Sequence, residues 1–172
     1  ATQDVYSFVR QFNQAVWGGN GARASQPRTV VAVKGQSRDT AMLLSTSKAD
    51  TKKKGLKVWN VSGPVIKTEL YRWLRMERVG EDASQFGRCH FPQYAEEYFK
   101  QLTAERQVVR ISNGYPKPVW EKDPVRRNEA LDCRVYARAG AAIYGLDRMS
   151  EKAWAELEAL IPANPEAKPK KK

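Results

Sequence analysis

The sequence predicts an α/β fold, a mixed sheet with helices packed on it, and three observations carry that reading. Short β-branched or apolar runs at residues 29–33 and 56–61 have the length and composition of strands. Stretches at 4–17, 65–77, 94–103, 129–144 and 151–160 repeat their apolar residues at helical spacing. Segments 107–111 and 118–122 flank a turn containing Asn113-Gly114, the dipeptide that best suits the left-handed backbone of a tight hairpin.

Taken in order, residues 4–17 form a helix with Val5, Phe8, Val9 and Phe12 on one face, and 18–27 form a loop rich in Gly, Asn and Ser. The run 29–33 is continuously apolar, as a central strand is, and ends at Lys34-Gly35. Lys34 at that end is either a phosphate contact or a solvated lysine. Residues 36–55 read as an exposed excursion with a short strand at 42–44 and a basic run, Lys52 to Lys54, that either stays solvated or tracks a DNA backbone. In the strand 56–61, Leu56, Val58 and Val61 are expected on one face, leaving Trp59 on the other, either covered or free for stacking.

Ser62-Gly63-Pro64 turns the chain into the helix 65–77, which buries Ile66, Leu70, Trp73 and Leu74. Lys67 lies in its first turn, where the helix dipole disfavours a cation, and that mild conflict either hints at an external anion or marks a simple exposed lysine. Residues 80–87 are a loop and 88–91 a short strand ended by Pro92, with His90 read as a structural histidine. Tyr94, Tyr98, Phe99 and Leu102 line one face of the next helix, and the hairpin after it delivers Trp120 and Lys122 to the start of the helix 129–144.

That helix carries the chemistry. Pro124 breaks the preceding strand and Asn128 caps the helix. At about 100° per residue, Asn128, Asp132, Val135, Ala139 and Ile143 fall along one line, so a carboxylate lies on the stripe expected to face the core. Asp132 must therefore be near water, hydrogen-bonded, or on a cation. Arg126 and Arg127 sit a few residues before Glu129 and Asp132, and either pair with them or grip a phosphate. Glu129 is the better partner for an arginine. Residues 145–150 lead to the last helix, where Trp154, Leu157 and Leu160 are placed to dock, and 162–172 form a disordered basic tail behind a single domain over 1–161.

The chain has 172 residues and a formal net charge of +11, which favours a polyanionic partner and makes nucleic acid the first choice. Two cysteines and one histidine supply neither a disulfide framework nor a zinc site, and they suit a reducing cytoplasm. No apolar run approaches the length of a membrane span. There is no G-x-x-x-x-G-K-[ST] loop for ATP. The opening at Ala1 without methionine suggests a processed or excised piece.

Five blocks in order then suggest a family: VAVKG at 31–35, K-x-x-LYRWLRME from Lys67, HFP at 90–92, EYFKQLTAER from Glu97, and RRNEALDCRVYA from Arg126. Together they closely resemble the later part of the nuclease domain in the gpA-type large terminase subunit of tailed bacteriophages. The resemblance implies a ribonuclease H-like fold and a metal-dependent endonuclease that cuts concatemeric viral DNA during packaging in the host cytoplasm. It implies Mg²⁺ or Mn²⁺ as the cofactor, with Asp132 as a catalytic metal ligand. Lys34, Lys67, Arg126 and Arg127 become candidate DNA contacts. The implied partners are double-stranded DNA, other terminase subunits and the portal, with no membrane. The alternative is a basic DNA-binding or docking module without chemistry. In the family the earlier acids precede a T-x-x-VY segment, and this chain begins at Thr2 to Tyr6 of that segment, so the stretch alone is expected to cut DNA slowly or not at all.

Overall fold

The computed structural model describes residues 2–17, 30–37, 42–46, 58–77 and 89–160. The loops expected at 18–27 and 80–87, the basic run at 52–54, and the tail from 162 lie outside these residues. The chain divides into two compact units, Ala1–Ala139 and Gly140–Lys172.

The first unit opens with helix α1 (Thr2–Trp17), followed by strands β1 (Ala32–Gln36), β2 (Leu44–Thr46) and β3 (Val58–Ser62). They form a three-stranded mixed sheet in the order β1-β3-β2, with β1 parallel and β2 antiparallel to the central β3. The mixed α/β class expected from sequence is therefore what the chain adopts. The strand expected at 29–33 is shifted towards its C-terminal end, so Lys34 and Gly35 lie inside β1.

Central position explains why β3 does not have one apolar face. Val58 belongs to a buried cluster with Tyr6, Val9 and Ala32 on the α1 side. Val61, on the opposite side of the strand, belongs to a second cluster with Ile66, Leu70, Leu102, Leu131, Val135 and Ala139. The expectation that Val58 and Val61 share a face is corrected on that ground. Trp59 shares the Val61 side and is half-buried, so it is not an open stacking platform. In α1 the buried stripe is Tyr6 and Val9, whereas Val5 and Phe8 stay exposed, because the sheet residues Ala32 and Val58 set which side of the helix is covered.

Helix α2 (Gly63–Leu74) follows β3 directly, with Pro64 in its first turn, where a missing N–H costs nothing. Residues 89–91 are not a strand. Phe91 is held instead by side-chain packing, edge-on to Tyr98 and Phe99, with the Arg134 guanidinium 5.0 Å from its ring centre. Helix α3 (Glu96–Leu102) buries Leu102, and a second sheet, the hairpin of β4 (Glu105–Ser112) and β5 (Tyr115–Lys122), comes next. Helix α4 (Glu129–Tyr144) buries Ala130, Leu131, Val135 and Ala139. Arg138 on α4 forks onto Glu69 of α2 at 2.8 and 3.2 Å, tying the two helices together.

In the second unit, Gly145 takes a left-handed φ of 96°, a short 3-10 turn covers Leu146–Arg148, and Ser150 caps helix α5 (Glu151–Ala159) by accepting from the Ala153 N–H. No residue of α5 is buried. Among the described residues no helix is long and apolar enough to cross a membrane.

Candidate functional site

The site is built where α2, β4 and the start of α4 meet. Tyr71 of α2 donates its hydroxyl to the backbone carbonyl of Glu105, which fixes the first residue of β4 against that helix. Burial raises the pKa of the Tyr71 hydroxyl. The Glu105 side chain is only 6% exposed, and a carboxylate so placed needs partners for both oxygens. Lys67 donates to Oε2 at 2.6 Å, and the Asn128 amide donates to Oε1 at 2.9 Å. Lys67, whose position in the first turn hinted at an outside anion, thus meets an acid of its own chain.

Asn128 links this pair to Asp132. Its carbonyl accepts the Asp132 N–H at 3.0 Å, starting the helix, and its side-chain amide also reaches Asp132 Oδ2 at 3.4 Å. Asp132 itself is exposed, because the buried stripe of α4 runs through Leu131, Val135 and Ala139 and leaves it at the edge. Of the outcomes foreseen for this acid, contact with water and a hydrogen bond hold. The next amide of the helix, Ala130 N–H, is capped from outside by Gln101 at 3.4 Å.

The cations ahead of α4 are all at the surface. Arg126 lies 3.4 Å from Asp123, and Arg127 reaches both oxygens of Glu129 at 3.2 Å. Glu129 therefore answers an arginine, as its place on the helix suggested. Its own backbone N–H at the free helix start, then Arg127, hold its carboxyl below the usual glutamate range. Such exposed pairs are weak and leave both guanidiniums available to a phosphate.

Lys34 is exposed but stands apart from this corner. It shares its strand face with Ala32, the side covered by α1, while Gly35 turns to the opposite side, toward α4. A Cβ at Gly35 would stand 3.2 Å from the Tyr136 hydroxyl of α4, so the glycine of the VAVKG block leaves room for that side chain. The structure joins Lys67 and Asp132 through two residues not proposed for the site from sequence, Glu105 and the Asn128 side chain. The misplaced cation at Lys67 marked the place but was read as awaiting an external anion, and no signal in the sequence pointed to Glu105.

The carboxylates here do not make a metal centre by themselves. Among the described residues no group of three or more His, Cys, Asp or Glu side chains converges on one point. Both oxygens of Glu105 are already engaged, and the exposed Glu129 and Asp123 are paired with Arg127 and Arg126, which leaves Asp132 as the exposed acid of this corner without an ion pair among the described residues.

Comparison with known proteins agrees with the ordered blocks. A 95-residue stretch is 34% identical to the terminase large subunit of Escherichia phage lambda, covering 53% of this chain and 14% of that protein. The chain thus spans only a small part of its relative's length. No solved structure matches. The family model described as the endonuclease domain of the terminase large subunit gpA matches residues 1–154, which include every block quoted above and the whole corner from Lys67 to Asp132. The chain belongs to the endonuclease-domain family of the gpA terminase large subunit.

Proposed function

We propose that this chain forms the later part of a ribonuclease H-like nuclease domain that cuts concatemeric phage DNA during packaging. The observation that carries the reading is the acid at the head of α4, held beside a buried Lys67–Glu105 pair by Asn128, inside a stretch matched by the endonuclease family. Its fold component is supported by the parallel pair β1 and β3 in a mixed sheet, with α4 packed on one face. In this reading Arg126 and Arg127 grip the DNA backbone, and the Glu105–Asn128 link sets the orientation of Asp132. Hard Mg²⁺ or Mn²⁺ is the ion such oxygen donors suit, with Asp132 as one ligand and the remaining ligands outside the described residues. Duplex DNA, the other terminase subunits and the portal are its proposed partners.

Paramagnetic broadening by Mn²⁺ tests the assignment on the chain itself. The amide signals of Asn128 to Asp132 should broaden in the wild type and remain sharp in Asp132→Asn. In the intact large subunit, the same substitution should lower Mg²⁺-dependent plasmid nicking by roughly 100-fold or more, at least the loss typical of disturbing a group that merely supports a metal ligand. Broadening that ignores the substitution, or nicking that survives it, would leave a basic module that grips DNA or docks on packaging proteins without cutting.

A further inference from the structure

Four aromatic rings from α3 and the segment before it are packed against α4. Phe91 stands edge-on to Tyr98 and Phe99, with ring centres 6.1 and 5.5 Å away, and Tyr94 lies over Tyr98 at 4.3 Å with the planes tilted by 32°. The rings are therefore one contiguous cluster. Phe91 and Tyr98 pack on the core around Leu102 and Leu131, whereas Tyr94 and Phe99 turn outward and are 47% and 37% exposed. Single exposed aromatics are ordinary, but rings joined in one exposed patch mark a binding surface.

A cation completes the patch. The half-buried Arg134 guanidinium lies 5.0 Å from the Phe91 ring centre and has neither an ion pair nor a hydrogen bond among the described residues. Stacking engages the flat face of a guanidinium and leaves its N–H donors for an anion. The acids of α3 do not supply that anion, because Glu96 is paired with Lys100 at 3.0 Å and Glu97 accepts from Gln101 at 3.1 Å. An occupant must therefore offer flat rings and negative charge together. A peptide residue supplies one or the other, whereas each nucleotide of a single strand supplies both.

We propose that this patch is a platform for unpaired DNA bases, with a base stacked on the outer face of Tyr94 and Arg134 pairing with a phosphate of the same strand. The inference rests on the nuclease reading of the neighbouring corner. Arg134 follows Asp132 by two residues on α4, so only the start of that helix, about 10 Å across, separates the rings from the acid. A few nucleotides of strand span that distance. Bases within a duplex are stacked on each other and present no face to a ring, so the platform takes single strands.

Anisotropy titrations of a labelled decathymidylate and of an abasic oligomer of the same length separate bases from charge. The wild type should bind the thymidylate roughly tenfold more tightly, the worth of about one stacked base. Tyr94→Ala should remove most of that preference without changing the affinity for the abasic oligomer, and Tyr94→Phe, which keeps the ring, should retain it. Arg134→Gln should weaken both oligomers severalfold, since phosphates are common to them. In the wild-type complex, thymine methyl protons should show NMR contacts to the Tyr94 ring, a readout that needs no variant to fold. The proposal is overturned if the wild type binds both oligomers equally, if those contacts are missing, or if Arg134→Gln binds as tightly. Retention of the preference by a folded Tyr94→Ala overturns it too, and leaves the patch to a protein partner. Mn²⁺ broadening at Asp132, read on the same sample, separates the two readings: its absence with the thymine contacts in place removes the nuclease reading alone.

Discussion

Glu105 occupies the first position of β4, where its carboxylate lies under the protein surface and is served by Lys67 on one side and Asn128 on the other. Removing one partner of such a pair leaves a charge in a poor solvent, whereas replacing both with apolar groups of similar volume removes the problem. Lys67→Met alone should therefore cost about 3 kcal/mol, and Lys67→Met with Glu105→Leu should recover most of that. Urea unfolding of the two variants and the wild type measures both numbers. A single variant as stable as the wild type would mean that water reaches Glu105 freely. The same residue shows why the sequence pointed to only part of the site. Periodicity picks out the helix of Asp132, and a cation in a first turn picks out Lys67. The acid between them opens a strand after Ala104, where nothing local marks its side chain as buried.

The β4–β5 hairpin was legible because its information is local. Asn113 and Gly114 have φ values of 50° and 80°, the left-handed pair that a two-residue turn between twisted strands requires. The register follows from that turn, with Ser112 opposite Tyr115 and Glu105 opposite Lys122, so the turn helps place Glu105 at the corner. A Cβ at Gly114 would meet nothing within 4 Å, so Gly114→Ala tests backbone strain alone. It should cost about 1 kcal/mol in thermal unfolding, with the cross-strand contacts unchanged. A larger loss, or new pairings between the strands, would show that the turn also selects the register against a competitor. The central strand β3 differs from the expectation because alternation puts Val58 and Val61, three residues apart, on opposite faces, and distant segments bury both, α1 on one side and α2 and α4 on the other.

At the scale of the whole molecule, a charge of +11 is the property most open to a simple measurement. Some of that surplus is already matched within the chain. Lys67 is answered by Glu105, and Arg110 lies against Glu121 across the hairpin. Arg126 and Arg127 have only loose partners at the surface, and Lys34 forms no ion pair among the described residues. A cation that replaces a counterion on DNA contributes to the salt dependence of binding, and one held by its own acid contributes little. The logarithm of duplex affinity should therefore fall linearly with the logarithm of salt concentration. Arg126→Gln and Arg127→Gln should each flatten that slope by roughly 0.9, while Arg110→Gln should leave it nearly unchanged. Anisotropy titrations at several salt concentrations supply the slopes. Equal flattening by all three would mean that DNA responds to the net charge of the chain as a whole. Flattening confined to Arg126 and Arg127 would place the backbone against the loop that opens α4, beside the acid on which the nuclease reading depends.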